Sequence, residues 1–259
     1  MLEIINSSSI VQNLEWQYPL SAPVVPMYDK YVASALLEFS YIISLHNKHP
    51  HAFLLNPPHF DIVVALNTYY IVNIGYFFYS TKLNIAIIVF TATYNYILTG
   101  IDMIYELYTV NTINCIPGVQ CHRGFAVLYQ SIQEYLHSLI NKYCKFDTQI
   151  LTTGLSLGGA LSTLCCLDLQ TKYHNQIIHY SYASPRVFNI IGANYFNSKC
   201  LYTYRIINIS DVIPLMPLPM MDKDDFMHVK GMTAFDTNLK TYYKNHIDAY
   251  CKEYNLTIY

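Results

Sequence analysis

Residues 148–173 read Thr-Gln-Ile-Leu-Thr-Thr-Gly-Leu-Ser-Leu-Gly-Gly-Ala-Leu-Ser-Thr-Leu-Cys-Cys-Leu-Asp-Leu-Gln-Thr-Lys-Tyr. Thr148 to Thr153 is β-branched and strand-like, whereas Ala160 to Tyr173 has the length and apolar content of a buried helix and no proline. Between them, Gly154-Leu155-Ser156-Leu157-Gly158 fits G-x-S-x-G. A strand that turns sharply into a helix forces the central serine into a strained backbone conformation with its hydroxyl exposed. Gly154 and Gly158 are expected because a Cβ there would collide with the neighbouring strand or helix. The helix start behind Ser156 offers free N–H groups and a positive dipole end, both suited to an oxyanion.

Outward from this stretch, strand and helix patterns alternate. Tyr28 to Asn47 is expected to be a helix, with Tyr31, Ala35, Leu36, Phe39, Ile42 and Ile43 on one face. Ile62 to Tyr79 is the longest apolar stretch, but Asn67 and Asn73 interrupt it and β-formers fill it, so it predicts strands and not a membrane span. Tyr69–Tyr79 and Asn84–Phe90 are expected to pair as a hairpin through Ser80-Thr81-Lys82-Leu83. Helical spacing follows over Tyr94–Leu107 and again over Phe125–Asn141, with a Pro117-Gly118 turn between them. Ile177–Ala183 and Tyr202–Asn208 predict strands, with a short helix over Gly192–Lys199 between them. Strands separated by helices imply βαβ units, hence an α/β fold around a mainly parallel sheet. No linker or repeat divides the chain, so one domain over 1–259 is expected, with residues 1–27 as an extended, proline-studded lead-in.

Composition narrows the function. Charged residues are 12% and apolar residues 53% of the chain, so a large core and an apolar face for lipid are both affordable, though 26 tyrosines inflate the apolar count. The net charge of −2 gives no basic surface for nucleic acid. The seven cysteines show no metal-ligand spacing and are expected to be mostly reduced and buried, with a Cys115–Cys121 bridge requiring an oxidising compartment. His46, His49, His51 and His59 crowd a proline-containing stretch without a companion ligand pattern, so no metal is expected there. The acidic start, Glu3 and Glu15 without a basic cluster, shows no signal peptide; a cytoplasmic or peripheral location at lipid surfaces is the expectation.

A serine hydroxyl needs a base, and the base needs an orienting carboxylate. In elbow hydrolases these partners follow the serine in the order acid, then histidine. Asp211 stands just past the strand Tyr202–Asn208 and is the leading acid, since catalytic groups of open α/β sheets gather beyond the carboxyl ends of the strands. Asp222, Asp224 and Asp225 sit in a charged loop and are expected to be solvated. Downstream of Asp211, His228 and His246 are both candidates for the base, and position alone does not separate them.

From about Ile71 to Tyr250 the chain resembles the class 3 lipases, the fungal-type triacylglycerol lipases and their esterase relatives. Thr153 to Leu161 resembles the family's T-G-H-S-L-G-G-A-L, and His122-Arg123-Gly124-Phe125 its H-x-G-F. Ala183 to Val187 resembles G-x-P-R-V, and Arg205 to Pro214 resembles R-x-x-N-x-x-D-x-V-P. His228-Val229 is similar to an H-V pair that precedes the catalytic histidine, and His246 with Tyr250 is similar to the terminal H-x-x-x-Y. The resemblance implies the α/β-hydrolase fold, a mostly parallel central sheet flanked by helices. It implies Ser156, Asp211 and His246 as the triad, Thr93 and Leu157 as the oxyanion donors, and no cofactor. The substrate it implies is a lipid ester, met at a lipid–water interface. Four positions depart from the pattern: Thr91 and Ala92 replace the arginine and glycine of F-R-G-[ST], Leu155 replaces a histidine, and Thr99 replaces a common tryptophan, while Asp102 keeps an acidic position. These changes leave two other readings open: an esterase for small or aromatic esters, and a lipase fold kept for lipid binding or interaction without turnover.

Overall fold

A computed structural model describes residues 16–49, 56–68, 73–92, 107–109, 117–218 and 226–258. A seven-stranded sheet runs in the order β1 (Ile62–Asn67), β2 (Asn73–Ser80), β3 (Ile85–Phe90), β6 (Gln149–Leu155), β7 (Ile177–Tyr182), β9 (Tyr202–Asn208) and β11 (Met232–Phe235). The pairs from β3 to β11 are all parallel, and β1–β2–β3 is an antiparallel meander. Every residue of β3, β6 and β7 is buried, as expected for central strands covered on both faces.

The pleat divides the apolar residues between two cores. Tyr76, Phe78, Ile85, Ile87 and Val89 point to one face, where α1 (Lys30–Lys48) packs together with the C-terminal residues Tyr250, Cys251 and Tyr254. Phe77, Tyr79, Ala86, Ile88 and Phe90 point to the other, beneath α2 (Arg123–Tyr143), α3 (Leu157–Lys172) and α4 (Ile190–Lys199). A strand has a side-chain period of two, so one continuous apolar run feeds both cores. Asp29 opens α1 by accepting the Val32 N–H at 2.9 Å, and His122 Nδ1 accepts the Phe125 N–H at the start of α2.

The α/β layout, the hairpin and the strand at Tyr202–Asn208 match the sequence expectations, and the other expected helices and strands shift by a few residues at their ends. The helical spacing from Tyr94 lies outside the described residues as far as 106, and Leu107 itself opens a strand, β4 (Leu107–Thr109). A second, four-stranded antiparallel sheet had no counterpart in the sequence reading. It joins β4, β5 (Gln120–His122), β8 (Phe188–Asn189) and β10 (Phe226–Met227). Its strands are two or three residues long and distant in sequence, so they carry no local pattern.

The lead-in, described from Trp16 onward, forms no helix or strand, and it is tied down. Gln149 accepts the Val24 N–H at 2.6 Å and returns its own N–H to the Val24 carbonyl at 2.7 Å. Gln17 and Tyr18 both donate backbone N–H groups to the buried Glu38 carboxylate. Six cysteines are free thiols, five of them buried, including Cys121; Cys115 lies outside the described residues. Among the described residues no helix is long and apolar enough to cross a membrane, and no group of three or more His, Cys, Asp or Glu is arranged to hold a metal ion.

Candidate active site

Strand β6 ends at Leu155 and α3 begins at Leu157, which leaves Ser156 as the single turning residue. Its φ of 60° and ψ of −121° lie in a region that a serine adopts only under strain, typically about 1–3 kcal/mol. Two close backbone approaches hold it there. A Cβ on Gly154 would lie 2.2 Å from the Gly158 carbonyl, and one on Gly158 would lie 2.3 Å from the Phe90 oxygen. The Ser156 N–H is held by the Tyr182 carbonyl at 2.9 Å.

Asp211 follows β9 across a short turn, its N–H bonded to the Asn208 carbonyl, and its side chain is buried. One carboxylate oxygen accepts the Ile213 N–H at 3.0 Å. The other lies 2.8 Å from His246 Nδ1 and 3.1 Å from the Tyr250 hydroxyl. A carboxylate only accepts, so Nδ1 carries the proton and Nε2 is left as an acceptor. Ser156 Oγ stands 2.7 Å from that Nε2. The three residues that the sequence singled out are therefore linked as hydroxyl, imidazole and carboxylate.

His246 lies on a helix and not on a loop. It closes a short helix, α5 (Tyr242–His246), which Thr241 caps. Two asparagines lace this helix to the Asp211 turn. Asn208 donates to the Thr237 and Asn245 carbonyls, and Asn245 donates to the Ser210 carbonyl. Asn208 appeared in the sequence only as a motif letter and Asn245 not at all. No sequence pattern foretells which backbone carbonyl an amide will reach. Tyr250, in α6 (Asp248–Glu253), is fully buried; besides donating to Asp211 it accepts the Asn208 N–H at 2.9 Å.

The competing histidine is occupied elsewhere. His228 Nε2 bonds the Pro214 carbonyl at 2.5 Å, and nothing joins it to Ser156 or Asp211. Burial, reinforced by the nearby Arg205 charge, pushes its pKa down to about 3. Leu157 is the first residue of α3, so its N–H has no partner within the helix. Thr93, the other expected oxyanion donor, lies outside the described residues, as do Thr99, Asp102, Asp222, Asp224 and Asp225.

The sequence profile of the family "Lipase (class 3)" matches residues 88–221, just over half of the chain. A lipase of Rhizomucor miehei is 30% identical over 108 residues, which cover 39% of this chain and 30% of that protein. The secreted mono- and diacylglycerol lipase A of Penicillium cyclopium is 35% identical over 81 residues, covering 31% of this chain and 25% of that protein. The matched stretches thus span less than a third of these relatives. The solved structure of the Rhizomucor miehei triacylglyceride lipase superposes with a TM-score of 0.63 at 22% identity, covering 79% of this chain and 78% of that one. The fold is that of the α/β-hydrolases, and with the profile match across the elbow, the chain belongs to the class 3 lipase family.

Proposed function

We propose that this chain hydrolyses lipid carboxylic esters as an acylglycerol lipase, with Ser156 as nucleophile, His246 as general base and Asp211 as its orienting carboxylate. The observation that carries the reading is the unbroken contact from Ser156 Oγ through His246 to Asp211, at 2.7 and 2.8 Å. As Oγ attacks the acyl carbonyl carbon, its proton passes to Nε2, and the imidazolium is stabilised by Asp211. The carbonyl oxygen becomes an oxyanion, held by the Leu157 N–H and by Thr93 at the matching position of the family's oxyanion loop. Collapse expels the alcohol, which takes the proton from His246, and leaves an acyl-serine. Water, deprotonated by His246, then releases the fatty acid and restores the hydroxyl.

Lipid substrates are favoured by exposed apolar side chains near Asp211 and His246 in sequence. Val212, Leu215 and Leu218 follow Asp211, Tyr242 and Tyr243 precede His246, and all five are exposed. The names of the relatives, lipase and mono- and diacylglycerol lipase, point the same way.

Ser156→Ala should abolish both p-nitrophenyl ester hydrolysis and fluorophosphonate labelling in a folded protein, a loss on the order of a millionfold in turnover. His246→Ala should be nearly as damaging, whereas His228→Ala should stay within about tenfold of the parent. Retained activity in Ser156→Ala would remove this serine from the mechanism. A folded parent protein that neither labels nor turns over ester would favour the other reading, a lipase fold kept for lipid binding or interaction without turnover. A panel of tri-, di- and monoglycerides and phospholipids assigns the substrate.

A further inference from the structure

Beyond β3 the chain continues through Thr91 and Ala92, and both N–H groups are held. Thr91 donates to the Ile74 carbonyl at 3.0 Å, extending the β2–β3 ladder. Ala92 donates to Ser44 Oγ at 2.9 Å, a side chain from the C-terminal part of α1 and 48 residues away. Ser44 is 1% exposed, and its own proton is committed to the Ser40 carbonyl one turn back, at 2.7 Å. That commitment leaves a lone pair for the Ala92 N–H. Ser40 makes the same bond to the Leu36 carbonyl, but among the described residues no hydrogen bond joins its hydroxyl to residues 90–92. From the opposite side Gly158 sits flush against the same segment: a Cβ there would lie 2.3 Å from the Phe90 oxygen and 3.0 Å from the Thr91 oxygen. Residues 90–92 are therefore held between the start of α3, which presents the Leu157 N–H, and a hydroxyl of α1.

We propose that Ser44 is a positioning residue for ester hydrolysis: by fixing the Ala92 peptide it keeps residues 90–92 seated against Gly158, and so holds the start of α3 and its Leu157 N–H where the oxyanion forms. This rests on the reading that Ser156 attacks an ester and that the Leu157 N–H holds the oxyanion. Such donors act because they stand ready where the charge develops, so loosening one raises the barrier without weakening substrate binding. Without Ser44 Oγ, the buried Ala92 N–H must find another acceptor and shift the loop to reach it.

The test measures kcat and KM on p-nitrophenyl butyrate, inhibition by phenylboronic acid as a tetrahedral mimic, and thermal unfolding. Ser44→Ala should lower kcat by about ten- to a hundredfold, short of the loss for deleting a donor outright, with KM within about twofold. Boronic acid affinity should fall by a similar factor. Ser44→Thr keeps the acceptor and should recover activity to within about threefold of the parent, and Ser40→Ala, a matched loss of a buried helix hydroxyl, should leave the rate unchanged. If Ser44→Ala does not fold, Ser44→Cys, whose sulfur is a weak acceptor, takes its place with the same readouts. A lowered melting temperature with parental kcat and boronic acid affinity would make Ser44 purely structural and overturn the proposal alone. A parent protein that fluorophosphonate does not label at Ser156 would overturn the catalytic reading and this proposal with it.

Discussion

Tyr250 shows how a residue outside the proposed triad holds one of its members in place. Its hydroxyl bridges the Asp211 carboxylate and the Asn208 N–H with no exposure to solvent, so it fixes the carboxylate against the backbone turn that carries it. A hydrogen bond to a buried charge is typically worth about 1.5–3 kcal/mol. Tyr250→Phe keeps the ring packing against Phe235 while deleting that bond. The expected outcome is a fall in kcat of about tenfold or more with KM unchanged, read on a soluble ester. Parental kcat in a folded Tyr250→Phe enzyme would mean that Ile213 and His246 alone hold the carboxylate. Ser156 illustrates the opposite economy: its strained φ is imposed by glycines that admit the backbone of α3 and β3 at distances no Cβ allows.

Between elements, the seam of α2 and α3 is closed by a buried polar knot. Asp168 on α3 accepts the Tyr129 hydroxyl at 2.6 Å and the Gln133 amide at 3.0 Å, and His137 Nε2 lies 2.9 Å from the same carboxylate. The His137 and Asp168 side chains are both 4% exposed. Tyr173, just past the end of α3, meets His137 Nδ1 at 2.9 Å and so ties the far end of the pair. Removing Asp168 strands the buried Tyr129 hydroxyl and Gln133 amide without their acceptor, which typically costs about 1–3 kcal/mol for each. Asp168→Ala should lower the urea midpoint accordingly while leaving the kcat of the folded fraction near parental. A midpoint within error of the parent would show that water relaxes into the seam. Burial pushes the Tyr129 hydroxyl well above its usual pKa, which keeps it the donor in this knot.

Across the whole molecule, acid stability follows from histidines that fold as neutral groups. His179 is fully buried in the central sheet between Thr152 and Thr163, and burial pushes its pKa down to about 3. The unfolded chain protonates it near the ordinary value of about 6.5. Between those values the unfolded state binds more protons than the folded state, so stability is complete above about pH 6.5 and is lost as the pH falls toward 3. His228, also depressed to about 3, adds in the same direction, reduced by its partial exposure. Urea midpoints measured from pH 7 down to pH 4 should fall steadily, and His179→Leu should flatten that slope. An unchanged slope in the variant would place the acid sensitivity elsewhere. The chain also closes on itself: Gln17 accepts the Thr257 N–H at 2.7 Å, and the Tyr28 and Tyr254 hydroxyls meet at 3.0 Å, so unfolding either end loosens the other.

The sequence by itself determined the alternation of strands and helices, the elbow at Ser156 and the choice of Asp211, because each depends on neighbours within a few residues. A β-branched run, two glycines and an apolar helix report their own geometry wherever the chain goes. The family resemblance added His246 over His228, which local reading had left open. Only the tertiary structure decided the rest. Ser156 and His246 are 90 residues apart, and Asp211 and His246 are 35 apart; their contacts exist because β6, β9 and α5 are packed together. The asparagine lacing, the Tyr250 bridge, the four-stranded minor sheet and the Ser44 contact with Ala92 are of the same kind. Each joins a polar group to a backbone atom far along the chain, and burial enforces such pairing without prescribing the partner. Period and propensity are silent on that choice, which is made by how closely whole elements approach.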